Sequence, residues 1–160
     1  MLDLVLDHLA GRPEGTYLDA TAGLGGHTGA IARRLETGLV IACDRDAESL
    51  AKARENTASW AERIRYVHGS FADLSTAPPV SGAGQLDGLL ADLGASRYQL
   101  TDAERGFSIS ADGPLDMRMD RGQELTAADI VNTYAEKALA DLIYGFGQER
   151  RSRKIARAIV

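Results

Sequence analysis

One stretch near the amino terminus constrains the fold of this chain more than any other. The sequence "TYLDATAGLGGHTGAIARRL" (residues 16–35) puts a short apolar run before a glycine-rich turn, and a segment with helical spacing after it. Many nucleotide-binding folds begin with a strand that feeds a helix through such a turn. The run ends on Asp19, Thr28 is the predicted N-cap of the helix, and Ile31 and Leu35 mark its buried face.

The same alternation continues along the chain. The predicted elements are strands at 39–43, 64–68 and 86–91 and helices at 2–10 and 46–64. Asp46 is the expected cap of the second of these helices, and residues 75–85 are a loop by composition. Strands that alternate with helices imply a parallel sheet with helices on both faces.

Three of the four predicted strands end on a carboxylate. Asp19, Asp44 and Asp92 each come directly after an apolar run. Ligands of open parallel sheets bind beyond the carboxyl ends of the strands. Because a buried acid is costly unless something pairs with it, three acids at one edge indicate a site. The alternative for any one of them is ordinary turn chemistry.

The spacing of the glycines decides between ligands of this turn. The dinucleotide pattern G-x-G-x-x-G, counted from Gly23 and Gly25, places Thr28 where the third glycine is needed, and the Lys-Ser/Thr ending of a P-loop is absent. Asp44, about 20 residues on, is placed to accept both ribose hydroxyls of an adenosine. Asp19 repels a pyrophosphate but suits the ammonium of a methionine moiety, which favours S-adenosylmethionine.

Composition excludes several classes of protein. The 160 residues carry a net charge of −5, so nucleic-acid binding has to come from a local basic patch. No apolar run approaches the roughly 20 residues of a membrane span. The lone Cys43 and the lack of a charged, then apolar leader predict an intracellular, cytoplasmic protein. The sequence predicts no metal site.

The chain changes character after Asp92. Residues 94–124 show little periodicity, and loops of that length are usually functional or disordered. Two helices follow, with predicted capping boxes at Thr126/Asp129 and Thr133/Glu136, and Gly145 and Gly147 are expected to stop the second. The last segment is the one basic stretch, with cations that suit RNA phosphates or a solvated helix face: Arg150, Arg151, Arg153, Lys154 and Arg157.

Several motifs together resemble one known family. The stretches "DATAGLGGHT", "GSF", "DAERGFS", "DGPLDMRMD" and "FGQERRSRKIARAIV" are similar to the bacterial RsmH (MraW) family and occur in its order over nearly the whole chain. Members of that family methylate N4 of a cytidine in the decoding region of small-subunit (16S) rRNA. The resemblance implies a class I, Rossmann-like, S-adenosylmethionine-dependent methyltransferase core at 1–100 and part of a helical substrate-recognition insertion at 101–160.

The resemblance also assigns roles to individual positions. It implies that the cofactor is contacted by Gly25, Gly26, His27, Asp44, Phe71, Asp92 and Gln99, beside Asp19 and Gly23 from the turn itself. Methylation of the amine requires that its nitrogen be held in line with the methyl group and that its N–H find an acceptor. Asp92 is the first candidate for that catalytic role and Ser96 the second. The expected partner is 16S rRNA or the small ribosomal subunit, with no membrane.

Two departures bear on this interpretation. The chain has "DLGASRYQL" where members usually have "DLGVSS" and then "QL", so Arg97 replaces a second Ser. Four strands are predicted where the family core has seven, which predicts a fragment with an exposed apolar sheet edge, through which oligomers could form. Two alternatives stay open: a nicotinamide-dependent oxidoreductase, and a non-catalytic fragment that binds S-adenosylmethionine or RNA.

Overall fold

The structure is a computed structural model that describes residues 2–9 and 11–160. The chain divides into two compact units, of which the first ends at Gly94 and the second begins at Ala95. In the first unit the regular elements are α1 Leu2–Leu9, β1 Thr16–Asp19, α2 Gly26–Arg34, β2 Leu39–Asp44, α3 Ala47–Asn56, β3 Ile64–His68, α4 Pro78–Ser81 and β4 Gly88–Leu90. Of the predicted first helix, Ala10 lies outside the described residues.

The four strands form one parallel sheet in the order β3-β2-β1-β4. The chain moves from β1 outward to β2 and β3 and then crosses back to place β4 on the other side of β1. This reversal creates a switch point between the carboxyl ends of β1 and β4, where open α/β sheets bind ligands. The predicted parallel sheet flanked by helices is confirmed.

Alternate side chains of the strands face two separate cores. Tyr17 and Val40 pack on one face, with Ile31 of α2 and Leu50 of α3, and all four are buried. The opposite face holds a smaller cluster of Leu18, Ala20, Ile41, Cys43 and Leu74. Burying a side chain the size of Ile or Leu contributes roughly 1.5–3 kcal/mol. The two-residue period of β1 and β2 therefore holds helices against both sides of the sheet.

Several predicted boundaries differ from the structure. Helix α3 ends at Asn56, and residues 58–63 form a 3₁₀ helix where one helix to residue 64 was expected. The predicted loop at 75–85 contains the short helix α4, and a 3₁₀ helix spans Phe71–Thr76. Thr28 is not the N-cap of α2, because the helix begins at Gly26 with Gly25 as its cap. The predicted Asp46 cap is confirmed: its side chain accepts from the amides of Glu48 and Ser49.

The second unit is largely helical after an irregular segment. Its helices are α5 Arg97–Thr101, α6 Ala127–Thr133, α7 Glu136–Gly147 and α8 Ser152–Ile159, with a 3₁₀ helix at Ala103–Arg105. Leu139, Ala140 and Ala156 form its buried cluster, which joins α7 to α8. The Thr126/Asp129 capping box of α6 is confirmed.

The second predicted capping box is wrong. Ala135 is the N-cap of α7 and makes no side-chain cap. Thr133 is the last residue of α6 instead, and its hydroxyl donates to the carbonyl of Asp129 at 2.7 Å. A Thr hydroxyl that can reach a carbonyl one turn back in its own helix has a partner without capping the next helix. Gly145 lies within α7, which ends at Gly147 with Gln148 in the left-handed conformation.

Arginine side chains organise the irregular segment between α5 and α6. Arg105 is buried, and its guanidinium donates to the carbonyls of Arg118 and Met119 at 3.1 and 2.9 Å. Arg118 donates to both oxygens of Asp116 at 2.8 Å, which lowers the pKa of Asp116 to about 2. These bonds replace the regular backbone pairing that the segment lacks.

Candidate active site at the carboxyl ends of the strands

The loop between β1 and α2 has a backbone that requires glycine. Gly25 has φ +86°, and its amide donates to the carbonyl of Ala22 at 2.8 Å. A Cβ at Gly25 would lie 2.9 Å from Cγ2 of Thr57 and 3.2 Å from Cα of Ala53, so the loop packs tightly on α3 at that point. A Cβ at Gly23 or Gly26 would meet no protein atom within 4 Å. The backbone there faces open space that a ligand can approach closely.

Asp44 is held against this loop. One carboxylate oxygen accepts from the amide of Gly23 at 2.7 Å, and the other accepts from the amide of Asp46 at 2.9 Å. The residue is half-buried at the end of β2. Because a carboxylate oxygen accepts more than one hydrogen bond, both oxygens keep capacity for a pair of hydroxyl donors. Asp44 therefore has the fixed orientation that recognition of a ribose requires.

Asp19 lies beneath the loop, with 0% of its surface exposed. Its carboxylate accepts from the hydroxyl of Thr28 at 2.7 Å and from the amide of Thr21 at 3.2 Å. Burial raises the pKa of Asp19, while the bonds from Thr28 and Thr21 and the charge of His27 oppose that rise. A side chain without exposed surface does not contact a ligand in this conformation. Its predicted cofactor role therefore acts through the loop that it supports.

Asp92 follows β4 on the other side of the switch point. Its side chain is exposed, and its backbone amide donates to the hydroxyl of Thr21 at 2.7 Å. This bond ties the end of β4 to the loop after β1. Hydrogen bonds therefore join Asp19 and Asp92 to Thr21 and join Asp44 to Gly23, all within the loop after β1.

Two further predicted cofactor residues lie at the ends of neighbouring elements. His27 is in the first turn of α2 and is half-buried. Phe71 begins the 3₁₀ helix after β3, capped by Ser70, and 51% of its surface is exposed. An aromatic side chain exposed beside the carboxyl edge of a sheet can stack on a purine.

The remaining two predicted residues belong to the second unit. Ser96 caps α5: its hydroxyl accepts from the amide of Gln99 at 3.1 Å, and its own amide donates to Oε1 of Gln99 at 3.0 Å. Gln99 is buried. The side-chain oxygen of Gln99 therefore has a structural partner, and the roles of both residues in the reaction stay predictions.

The predicted RNA-binding cations lie in and just before α8, and all are exposed: Arg150, Arg151, Arg153, Lys154 and Arg157. Arg157 pairs with Glu136 at 3.2 Å. Arg150, Arg153 and Lys154 form no ion pair within the part of the chain that the structure describes. Ser152 and Ala156 are the buried residues of this helix, and its basic residues face solvent.

A cavity of about 420 Å³ in the first unit lies beside α2 and not at the strand ends. It is lined by Leu24, Gly29 and Trp60. The side-chain amide of Asn56, also in its wall, donates to the carbonyl of Leu24 at 3.0 Å. It shares Gly25 and Gly26 with the predicted site but not the carboxylates. The candidate site that contains the carboxylates is therefore the open edge of the sheet and not this cavity.

Sequence reasoning missed three residues that build these units. Thr28 lies in a helical segment. Its position nine residues after Asp19 is the one sequence signal for the hydrogen bond between the two side chains. Thr21 connects the loop to β4 by a bond that no local pattern indicates. Arg105 is a charged residue in a stretch of turn formers, and its burial becomes visible only with the loop that folds around it.

Strand order, glycine loop and strand-end acids define an open, Rossmann-like α/β domain with a ligand-binding edge. The chain belongs to the MraW methylase family, whose model matches residues 1–160. This confirms the family resemblance of the sequence motifs.

Individual relatives agree with the family. The chain is 64% identical over 97% of its length to the ribosomal RNA small subunit methyltransferase H of Solibacter usitatus, of which it covers 54%. It is 52% identical to the protein of that name from Acidobacterium capsulatum, with 100% of this chain and 56% of the relative covered. The chain spans about half the length of the curated relatives it matches.

A crystal structure of an rRNA methylase from Streptococcus thermophilus aligns with a TM-score of 0.40, at 24% identity over 47% of this chain and 43% of that chain. In the described part of the chain, no helix is both long and apolar enough to span a membrane.

Proposed function

We propose that the first unit binds S-adenosylmethionine at the carboxyl edge of its sheet. The observation that carries the proposal is Asp44, whose two oxygens are fixed by the amides of Gly23 and Asp46 at the end of β2. In that position the carboxylate accepts hydrogen bonds from the ribose hydroxyls. The open backbone at Gly23 and Gly26 admits the methionine portion. The carboxyl group of Asp19 beneath the loop favours a cationic ligand over a pyrophosphate.

Further side chains are proposed to contact the adenine and the methionine end of the cofactor. Phe71 offers a face for the adenine, and His27 lies in the turn that would meet the methionine end. Gln99 is proposed as a further contact, on the strength of the family resemblance. This cofactor fits a site that offers a carboxylate to accept hydrogen bonds from hydroxyls, an exposed aromatic ring and an open glycine backbone.

The proposed reaction is methylation of N4 of a cytidine in the decoding region of 16S rRNA. The relatives' name, ribosomal RNA small subunit methyltransferase H, supports this substrate. When bound, the cofactor supplies an electrophilic methyl group. The exocyclic amine of cytosine is a weak nucleophile because its lone pair is delocalised into the ring. Asp92, exposed at the switch point, accepts a hydrogen bond from the amine and orients it, and Ser96 is the second candidate for that task.

We propose that the basic side of α8 holds the RNA. We also propose that the parts of the chain that recognise the cofactor and the substrate divide near residue 100. Arg153 and Lys154 are exposed and form no ion pair among the described residues, so their charge is available to phosphates. The target base has to be unstacked to reach Asp92. A small-subunit rRNA substrate implies a cytoplasmic protein.

Transfer of a tritiated methyl group tests this proposal. We expect label in the small-subunit rRNA, with a comparison of assembled particles and free rRNA to define the substrate. Asp92→Ala should lose transfer, and Glu62→Ala, which removes an exposed carboxylate of the 3₁₀ helix after α3, should retain it. Normal turnover by Asp92→Ala would remove Asp92 from the mechanism. Binding of the cofactor product without any transfer would instead favour a non-catalytic cofactor-binding portion of the enzyme.

A further inference from the structure

A buried hydrogen bond joins α2 to the end of β1. The hydroxyl of Thr28 donates to Oδ2 of Asp19 at 2.7 Å, and both side chains have 0% exposure. Thr28 lies in the first turn of α2, after Gly25 and Gly26. A hydrogen bond inside a dry site is stronger than the same bond in water. It fixes the start of the helix relative to the strand.

The bond is the first of a series that crosses the site. The other oxygen of Asp19 accepts from the amide of Thr21 at 3.2 Å, and the hydroxyl of Thr21 accepts from the amide of Asp92 at 2.7 Å. Thr28, Asp19, Thr21 and Asp92 therefore link α2, β1 and β4 in sequence. The glycine loop, residues 20–26, lies between Asp19 and Thr28 in the chain.

We propose that Thr28 is a positioning residue, whose buried hydroxyl orients Asp19 and thereby holds the glycine loop and the Asp92 backbone in the conformation that binds the cofactor. The inference rests on the proposed function, since it assigns the loop to S-adenosylmethionine. Thr28 acts through Asp19 and does not contact the ligand.

The electrostatics of the site agree with this role. Burial raises the pKa of Asp19, and the Thr28 hydroxyl opposes the rise. The other charged or titratable groups that act on Asp19 are His27 from α2, which favours the ionised form, and Asp44 from β2, which disfavours it. Without the hydroxyl, the carboxylate loses a donor that its surroundings cannot replace with water.

The chain offers matched variants for a test. Thr28→Val keeps the shape of the side chain and removes the hydroxyl, and Thr28→Ser keeps the hydroxyl. Tyr17→Phe is the control, because Tyr17 is a buried residue of the same unit whose hydroxyl donates to the carbonyl of Arg12, which precedes β1, at 3.1 Å. It separates a general loss of stability from a loss of loop geometry.

Two readouts are compared in the full chain: amide hydrogen exchange of residues 20–26 without ligand, and calorimetric titration with S-adenosylhomocysteine. We expect Thr28→Val to exchange roughly tenfold faster in the loop and to bind roughly tenfold more weakly. Thr28→Ser should stay within about twofold of the starting chain in both. Tyr17→Phe should lower the thermal midpoint and leave both readouts within that range.

The outcomes are distinguishable. Unchanged loop exchange and affinity in Thr28→Val would overturn the proposal, as would equal effects in Tyr17→Phe. If the starting chain bound no S-adenosylhomocysteine, the proposed function would fail, and the exchange data would still decide whether Thr28 holds the loop.

Discussion

At the scale of single residues, the candidate site depends on polar groups that are buried or fixed by backbone amides. Asp19 lies beneath the loop with no exposed surface, whereas Asp44 has both oxygens fixed and is still half-exposed. The two acids look equivalent in the sequence, since each ends a strand. Their environments differ: Asp19 supports the loop from beneath, and Asp44 keeps surface that a ligand can reach.

Gly25 is the residue at which the loop tolerates least change. Gly25→Ala combines an unfavourable positive φ with contacts on Ala53 and Thr57, so we expect a loss of roughly 2–4 kcal/mol in the free energy of unfolding. Gly84→Ala is the control, because Gly84 also has positive φ but has open space around it, and should lose about 1 kcal/mol.

Urea unfolding followed by the fluorescence of the single tryptophan, Trp60, measures both variants, since Trp60 packs against the core of the first unit. Equal losses for Gly25→Ala and Gly84→Ala would show that the contact with α3 carries no strain.

Asp19 gives the first unit a pH dependence whose sign follows from its burial. Because burial raises the pKa of Asp19 above its ordinary value, the folded state binds this proton more tightly than the unfolded state. The contribution is favourable below the ordinary pKa and is lost as pH rises through the raised pKa. Asp19→Asn should therefore stabilise the unit, and its advantage should grow as pH rises from 4 towards 8.

The same urea experiment at several pH values measures this advantage, with Asp73→Asn as an exposed control. We also expect Asp19→Asn to weaken binding of S-adenosylhomocysteine, as a trade of stability for function. An advantage that stayed constant with pH would contradict the raised pKa of the buried Asp19.

At the scale of elements, local chemistry predicted the well-capped helices and failed where a longer-range bond intervened. Asp46 and the Thr126/Asp129 pair cap their helices as expected. Thr28 failed as an N-cap because its hydroxyl bonds to a carboxylate nine residues back, and that partner exists only once β1 and α2 are in place. Thr133 failed because its own helix supplies a nearer acceptor.

Helix α8 is the element that carries the proposed RNA contacts. Lys154 is exposed and forms no ion pair among the described residues, whereas Lys137 of α7 pairs with Asp141 at 2.5 Å. Lys154→Gln should lower the slope of log affinity against log salt by about 0.7 for single-stranded rRNA, and Lys137→Gln should leave it unchanged.

Filter binding at several salt concentrations measures the slopes. Equal slopes for the starting chain and Lys154→Gln would show that α8 presents a solvated basic face without phosphate contacts.

At the scale of the whole molecule, the sheet has an exposed apolar strand. Among the residues that the structure describes, β4 pairs with β1 alone, and Leu89 of β4 and Leu93 after it are 57% and 68% exposed. The sequence predicted this edge from the number of strands. The chain also spans about half the length of the curated relatives it matches. An unprotected edge strand with exposed leucines is a template for association.

Self-association through β4 is the expected consequence. Sedimentation velocity at increasing concentration should show a rising average mass for the starting chain and a smaller rise for Leu89→Lys. Leu4→Lys, which changes a leucine 62% exposed on α1, should associate like the starting chain. A starting chain that stays monomeric at all concentrations would show that the edge is protected in solution.

The overall architecture was predictable because apolar periodicity and strand-end acids are local signals. Strands β1 to β4, their parallel arrangement and the positions of Asp44 and Asp92 all followed from such signals. The burial of Asp19, the Thr21 bond to Asp92 and the buried Arg105 did not, since each depends on partners brought together by tertiary folding. The cofactor prediction came from Thr28 in place of a glycine, from the acids Asp19 and Asp44, and from the family motifs.

Calorimetric titration of the chain with S-adenosylhomocysteine and, separately, with NAD tests the central claim most directly. We predict saturable binding of S-adenosylhomocysteine with one site per chain, weakened roughly tenfold by Asp44→Asn, and no measurable heat with NAD. Binding of NAD in preference to S-adenosylhomocysteine, or binding unaffected by Asp44→Asn, would contradict the site described at the carboxyl ends of β1, β2 and β4.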